Sequence, residues 1–213
     1  MNKKNLTIIN IVLVLVSIVL VYLVYKSISE PVVFENTLKA RELGDPKDVN
    51  VKCVKQNLID IRDAENLYKQ AHNKYTGSFD TLLEFVRTGQ LPVVNIVADP
   101  NDTTFTKTIN DTVDYIPIVD SLFKNRKNFD VNSIRIIPFS QNEEFELQAG
   151  YITRGGLKVA VFEAKAPYKT YLWDLDPQRV NNLRAEKEDL DKYAGLKVGS
   201  MDEPSQNGNW ESL

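Results

Sequence analysis

The longest pattern in the chain is an unbroken apolar run, Leu6 to Tyr25 (LTIINIVLVLVSIVLVYLVY), twenty residues without a charge behind Met1-Asn2-Lys3-Lys4. At about 1.5 Å per residue a helix of this length reaches roughly 30 Å, the hydrocarbon thickness of a bilayer. The run is apolar on all sides rather than on one stripe, which argues against a buried core helix. It is also longer than the roughly 7–15-residue core of a cleaved signal peptide, although Ser27-Ile28-Ser29 weakly resembles a cleavage site. The pattern predicts an uncleaved span. Asn10 and Ser17 are polar positions within it, open to hydrogen bonding with a partner helix or simply tolerated.

Glu30-Pro31 is expected to end the span, because proline disfavours helix at the residue before it. Phe34 to Leu43 can resume a helix, and Gly44-Asp45-Pro46 stops it. A second helix is expected from Asp48, a good N-cap, to about His72. Its apolar positions Val51, Val54, Leu58, Ile61, Ala64, Tyr68 and Ala71 recur every three or four residues. Such a stripe packs on the protein's own sheet or forms a short coiled coil with a partner. Tyr75-Thr76-Gly77 breaks this helix, and Ser78 opens a short one, Phe79 to Arg87.

From residue 91 to 132 periodicity loosens, with Pro92, Pro100 and Pro117 among many Asp, Asn and Thr. Short β-rich pieces such as Val93-Val94-Asn95-Ile96-Val97 occur within it, and a long loop with fragmentary structure, functional or partly mobile, is expected there. Strand patterns follow at residues 133–138, 144–153 and 157–164, the last two joined by Arg154-Gly155-Gly156 as a hairpin turn. Residues 168–172 read as a fourth strand. Asp176-Pro177 is an N-cap with proline at the first helical position, opening a surface helix to about Tyr193. The end, residues 202–213, is polar and expected to fray.

The fold class is therefore α+β: an N-terminal transmembrane helix, an amphipathic helix, an antiparallel β-sheet and a C-terminal helix. Residues 1–5 form a tail, 6–26 the span, 27–47 a linker or stalk, 48–200 the α+β domain and 201–213 a flexible tail. Lys3, Lys4 and the amino terminus favour a cytoplasmic tail in the inner membrane with the domain in the periplasm, though Lys26, Lys39 and Arg41 blunt the asymmetry.

Composition narrows the function classes. Lys and Arg number 26 against 29 Asp and Glu, with no long block of one sign. That balance argues against nucleic acid as a partner. One cysteine, Cys53, excludes an internal disulfide and a cysteine-based metal cluster, leaving a lone thiol, buried or exposed, or pairing between chains. His72 is the only histidine, placed at a helix end. No phosphate-binding glycine loop, nucleophile elbow or metal-ligand spacing occurs. Glu143-Glu144 and Asp174-x-Asp176 are the carboxylate pairs to be weighed for acid–base or metal chemistry; strand-edge and capping roles suit them better. No catalytic, metal or cofactor-binding residue is selected, and no cofactor is expected.

Gln56 to Leu83 (QNLIDIRDAENLYKQAHNKYTGSFDTLL), together with this layout, resembles the type IV pilin and type II secretion pseudopilin family. Ile61-Arg62-Asp63-Ala64, Tyr68, Tyr75 and Gly77 carry the likeness to that family's amphipathic half-helix and its exit. The resemblance implies a membrane-held, non-enzymatic domain that scaffolds other envelope proteins in a secretion or fibre-assembly machine. Pilin precursors carry a glycine before the apolar run and a glutamate five residues into the mature chain. Neither is found around Leu6–Tyr25, which points to an uncleaved relative; a processed pseudopilin is the alternative. An envelope enzyme using carboxylates of the 92–132 loop is the reading from another class.

Asp80-Thr81-Leu82, Asp102-Thr103-Thr104, Asp111-Thr112-Val113 and Asp120-Ser121-Leu122 are similar to the periplasmic O-glycosylation signal of Bacteroidota. The resemblance implies Thr81, Thr103, Thr112 and Ser121 as glycan carriers, while ordinary turn and capping chemistry explains the same triplets. Asn101-Asp102-Thr103 and Asn110-Asp111-Thr112 also satisfy the N-glycan sequon.

Overall fold

The computed structural model describes residues 3–44, 52–98, 108–126 and 129–211. It is an α+β protein in two compact units, Met1–Ala40 and Arg41–Leu213.

Helix α1 runs from Lys3 to Leu43 without interruption. Among the described residues it is the one helix long and apolar enough to cross a membrane. Its side chains from Ile11 to Tyr25 are open throughout, Val16 being 48% and Val21 69% exposed. Pro31 lies inside the helix rather than ending it, and residues 27–43 are helical. Proline removes one backbone donor and crowds the carbonyl four residues back. The turns on either side keep their own bonds. Lys26 pairs with Glu30 at 3.4 Å, Lys39 with Glu35 at 2.7 Å, and Thr37 Oγ1 donates to Val33 O at 2.8 Å. Gly44, at φ +68°, follows the last turn as expected.

In the second unit the amphipathic helix α2 spans Val54–His72. It starts later than expected: Lys52 and Cys53 are not helical, so Asp48, outside the described residues, is not its N-cap. Val54, Leu58, Ile61, Ala64 and Tyr68 are all buried, which places the stripe in the protein's own core rather than in a coiled coil. Val51 falls outside the described residues and Ala71 is exposed. Cys53 is buried at the start of α2, and burial raises its thiol pKa; it is not presented to another chain. Asn73 closes the helix in the left-handed conformation, its N–H donating to Lys69 O.

Helix α3, Phe79–Thr88, buries Phe79, Leu82, Leu83 and Val86. The described parts of the stretch expected as a long loop carry regular elements. Strands β1 (Gln90–Ala98) and β2 (Thr108–Pro117) pair antiparallel with a bulge between Val93 and Val94, and helix α4 follows at Ile118–Phe123. β-branched residues on both strands outweigh the polar residues that made the stretch read as coil.

The strand expected at residues 133–138 is a short 3-10 turn, Val131–Ile134, followed by one bridge between Ile136 and Glu144. Asp130 accepts from the Asn132 N–H and starts that turn, overriding the β-branched signal. Asn57 on α2 holds it in place, its Nδ2 donating to Ser133 O and Ile136 O at 3.0 and 3.1 Å.

A three-stranded antiparallel sheet closes the core in the order β3 (Glu146–Arg154), β4 (Leu157–Pro167), β5 (Gly195–Gly199). Gly155 and Gly156, at φ +58° and +80°, form the two-residue turn between β3 and β4. Phe162, Ala164, Ala166, Leu196 and Val198 are buried, and α2 packs on β4 and β5. On the other face Glu163 lies between Lys165 (2.6 Å) and Lys197 (2.8 Å), which are directly opposite in the register. One carboxylate thus relieves two facing like charges.

The expected fourth strand is a single helical turn, α5 (Tyr168–Tyr171), after which α6 (Pro177–Asp189) follows with Asp176 accepting from the Arg179 N–H at 2.8 Å. Strand β5 was not expected. Nor is the end loose through Glu211: Val198 bridges Gly208, Asn209 N donates to Lys197 O, and Glu211 pairs with Arg62 at 2.8 Å.

Candidate interaction surfaces

Pro138 and Phe139 occupy the centre of a tight turn in which Ser140 N donates to Ile137 O at 3.3 Å. Phe139 has φ +64°, a left-handed conformation that a bulky side chain adopts at a cost of order 1–3 kcal/mol. Phe139 is nevertheless 44% exposed, and Trp173 is 54% exposed. Trp173 Nε1 donates to Phe139 O at 3.1 Å, fixing the indole beside the turn.

Arg41 completes this group. Its guanidinium lies 5.3 Å from the Phe139 ring centroid, donates to Tyr171 O at 2.7 Å and makes a two-pronged contact with Asp174 at 2.5 and 2.8 Å. A hydrogen bond from Arg41 holds the Asp174 carboxyl below its usual range. Beneath, Tyr171 OH donates to Glu42 Oε1 at 2.7 Å; burial raises the pKa of both groups. Exposed aromatics beside a rigidly held arginine are the residue types that dominate binding energy at protein interfaces. Neither Phe139 nor Trp173 has a periodic sequence signal. Only the Trp in a polar stretch and the Pro-Phe pair could have drawn notice.

A second open surface is the β1–β2 arm. Among the described residues its strands pair only with each other, and Val94, Val113, Tyr115 and Ile116 are exposed. The described carboxylates of this region do not converge. Asp114 accepts from the Tyr115 N–H, Asp120 lies in the first turn of α4, and Asp130 serves the 3-10 turn.

The polar cleft of about 360 Å³ between α3 and the 3-10 turn is lined by Asp80, Glu84, Arg87, Asn132 and Arg135, among others. Arg135 is held by Asp80 at 3.0 Å and Glu144 at 2.9 Å, and Arg87 donates to Asn132. With its cations engaged, this is a solvated groove rather than an anion site.

The carboxylate pairs singled out in the sequence have partners of their own. Glu143 accepts from Thr170 Oγ1 at 3.2 Å, Glu144 and Asp174 pair with arginines, and Asp176 caps α6. Among the described residues no three His, Cys, Asp or Glu side chains gather as metal ligands. His72 Nδ1 lies 3.1 Å from Tyr68 O, and its ring stacks on Tyr68.

Thr81 on α3, Thr112 on β2 and Ser121 on α4 are exposed on three different elements; Thr103 lies outside the described residues. Asn10 and Ser17 are exposed on α1, seven residues apart and hence on one side of it. The Ser17 hydroxyl is already bonded to Val14 O at 2.8 Å.

Two buried polar features escaped the sequence reading. Asp60, deep on α2, receives both arms of Arg126 at 2.6 and 2.7 Å. Glu65 is fully buried; its Oε2 accepts from the Thr76 N–H at 2.9 Å, while Oε1 has no partner among the described residues. Compared with protein-family models, with curated proteins and with solved structures, the chain matches none of them.

Proposed function

We propose that this chain is a single-span membrane protein whose α+β domain binds and positions protein partners rather than turning over a substrate. The observation that carries the reading is α1, whose apolar side chains from Ile11 to Tyr25 have nothing covering them. A stretch so apolar and so open belongs in lipid. The outward-facing Phe139 and Trp173, held by Arg41 and by a strained turn, support the binding half of the proposal.

The likeness to pilins and pseudopilins fits an unbroken N-terminal helix and an antiparallel sheet covered by a helix. It fits less well in detail, because the helix on the sheet is α2, separate from α1. A scaffold of an envelope machine suits these features better than a fibre subunit. The lysines before the span support a cytoplasmic amino terminus and an exported domain.

The test is alkaline extraction of membranes from cells making the full chain, with topology reporters fused after Lys26 and after Leu213. Retention in the pellet and activity of an export-dependent reporter at both positions are the expected results. Release into the supernatant defeats the anchor, and reporter activity confined to the cytoplasm defeats the exported placement.

A further inference from the structure

We propose that α1 pairs in parallel with α1 of a second copy of this chain, along a seam that contains Asn10 and Ser17. The pairing rests on the membrane span proposed for α1 and assigns what that span meets.

Asn10 lies four residues, about 6 Å, inside the apolar run that begins at Leu6. Its amide brings two N–H donors and a carbonyl acceptor into hydrocarbon. α1 is helical without a break from Lys3, so each backbone N–H around Asn10 is already given to the carbonyl four residues back. No backbone donor is left for the amide oxygen, and lipid tails supply none. A neighbouring helix is the natural source of one.

The pattern around Asn10 shows where that neighbour lies. Leu13, Ser17, Leu20 and Val24 follow it at steps of three, four, three and four, the spacing that keeps one seam turned toward a partner helix. Asn10 and Ser17, one heptad apart, differ by only about 20° around the helix. All five side chains are exposed. The opposite side, with Val12, Val16, Val19 and Leu23, is apolar throughout and suits lipid. Ser17 is small, and its hydroxyl is turned back onto Val14 O at 2.8 Å. It therefore lets two backbones approach near the middle of the run.

The amide also selects the occupant. Copies of one chain insert in the same direction, so in a parallel pair each seam residue meets its own counterpart at the same depth. A primary amide is self-complementary, the donor of one facing the acceptor of the other. Two Asn10 side chains thus satisfy each other, and an all-apolar helix could not do this. A single asparagine in such a seam also fixes its register and the number of strands. The contact uses the same patch on both copies, so it closes at two.

Disulfide trapping in membranes containing the full chain tests this. Two forms with tags of different mass, both Cys53→Ala, carry Leu20→Cys on the seam or Val19→Cys away from it, and are made together under mild oxidation. With Leu20→Cys, a mixed dimer of the two tagged forms is expected; with Val19→Cys, only background. Asn10→Leu should lower the seam yield about five- to tenfold, the size of two interhelical hydrogen bonds, while Asn10→Gln keeps most of it. The pairing is overturned if both faces crosslink equally, if Asn10→Leu leaves the yield unchanged, or if Leu20→Cys traps only a protein of another mass. It alone is overturned if the chain stays in the pellet on alkaline extraction and no dimer forms. Release of the chain into the supernatant would overturn the span together with the pairing.

Discussion

Glu65 and Glu163 are both buried glutamates, and their surroundings push them in opposite directions. Burial raises Glu65 to about 8, with only the Thr76 N–H opposing. Burial also pushes Glu163 up, but hydrogen bonds and charge from Lys165 and Lys197 outweigh it and hold the carboxyl below its usual range. The signs follow by linkage. The folded state keeps the Glu65 proton where the unfolded chain loses it, so stability falls as pH rises from about 4 to about 8. Glu163 contributes stability above the ordinary carboxylate range, and that contribution is lost as pH falls through its lowered pKa. Thermal melts should therefore show Glu65→Gln matching the parent near pH 4 and exceeding it at pH 9, by on the order of a few kcal/mol at about 1.4 kcal/mol per pH unit. A variant that melts below the parent at pH 9 would show that Glu65 is ionised and paired in the fold.

Two other side chains separate stability from binding. Arg126→Met removes the cation and two of the hydrogen bonds held by the buried Asp60 carboxylate, leaving the one from Gln56 Nε2 at 3.0 Å, and a buried charge that loses its counter-ion costs roughly 3–5 kcal/mol. Denaturant titration should show that loss, with Asp60→Asn recovering much of it in the double variant. Phe139→Gly removes the left-handed strain, so the melting temperature should hold or rise slightly. Partner capture should fall at the same time, because the exposed ring is gone. A variant that loses stability while keeping its partners would make Phe139 a structural residue only.

At the level of elements, helices with a repeating stripe and strands beside a glycine turn were legible in the sequence. The 3.6-residue repeat of Leu58, Ile61 and Tyr68 located the buried face of α2, and Gly155-Gly156 located the β3–β4 turn. What failed was decided by contacts distant in the chain. Residues 133–138 have β-branched side chains, yet Asp130 and Asn57 hold their start as a 3-10 turn. Residues 168–172 alternate like a strand, but Tyr168 N donates to Ala194 O and Leu172 N to Tyr168 O, which turns the chain. β5 is only five residues long, and its pairing with β4 exists only once the chain has returned through α6. Pro31 shows the converse: a local breaker is overridden where a long helix continues on both sides. The Phe139–Trp173 surface has residues far apart in sequence, which no local pattern joins.

At the scale of the whole molecule, one chain carries an apolar helix suited to lipid and a domain that presents aromatic side chains outward. A charge inside the span tests the first half. Val16→Arg adds about 2.5–3.5 kcal/mol to insertion at a helix centre, so the variant should lose much of its membrane-pelleted fraction, whereas Val33→Arg, beyond the span, should not. The binding half is tested most directly by a photo-crosslinking amino acid placed at position 173 of the full chain in intact membranes. A discrete adduct of fixed mass that weakens in the Phe139→Gly background is expected. Illumination that yields no adduct, with the chain stably inserted, would contradict it.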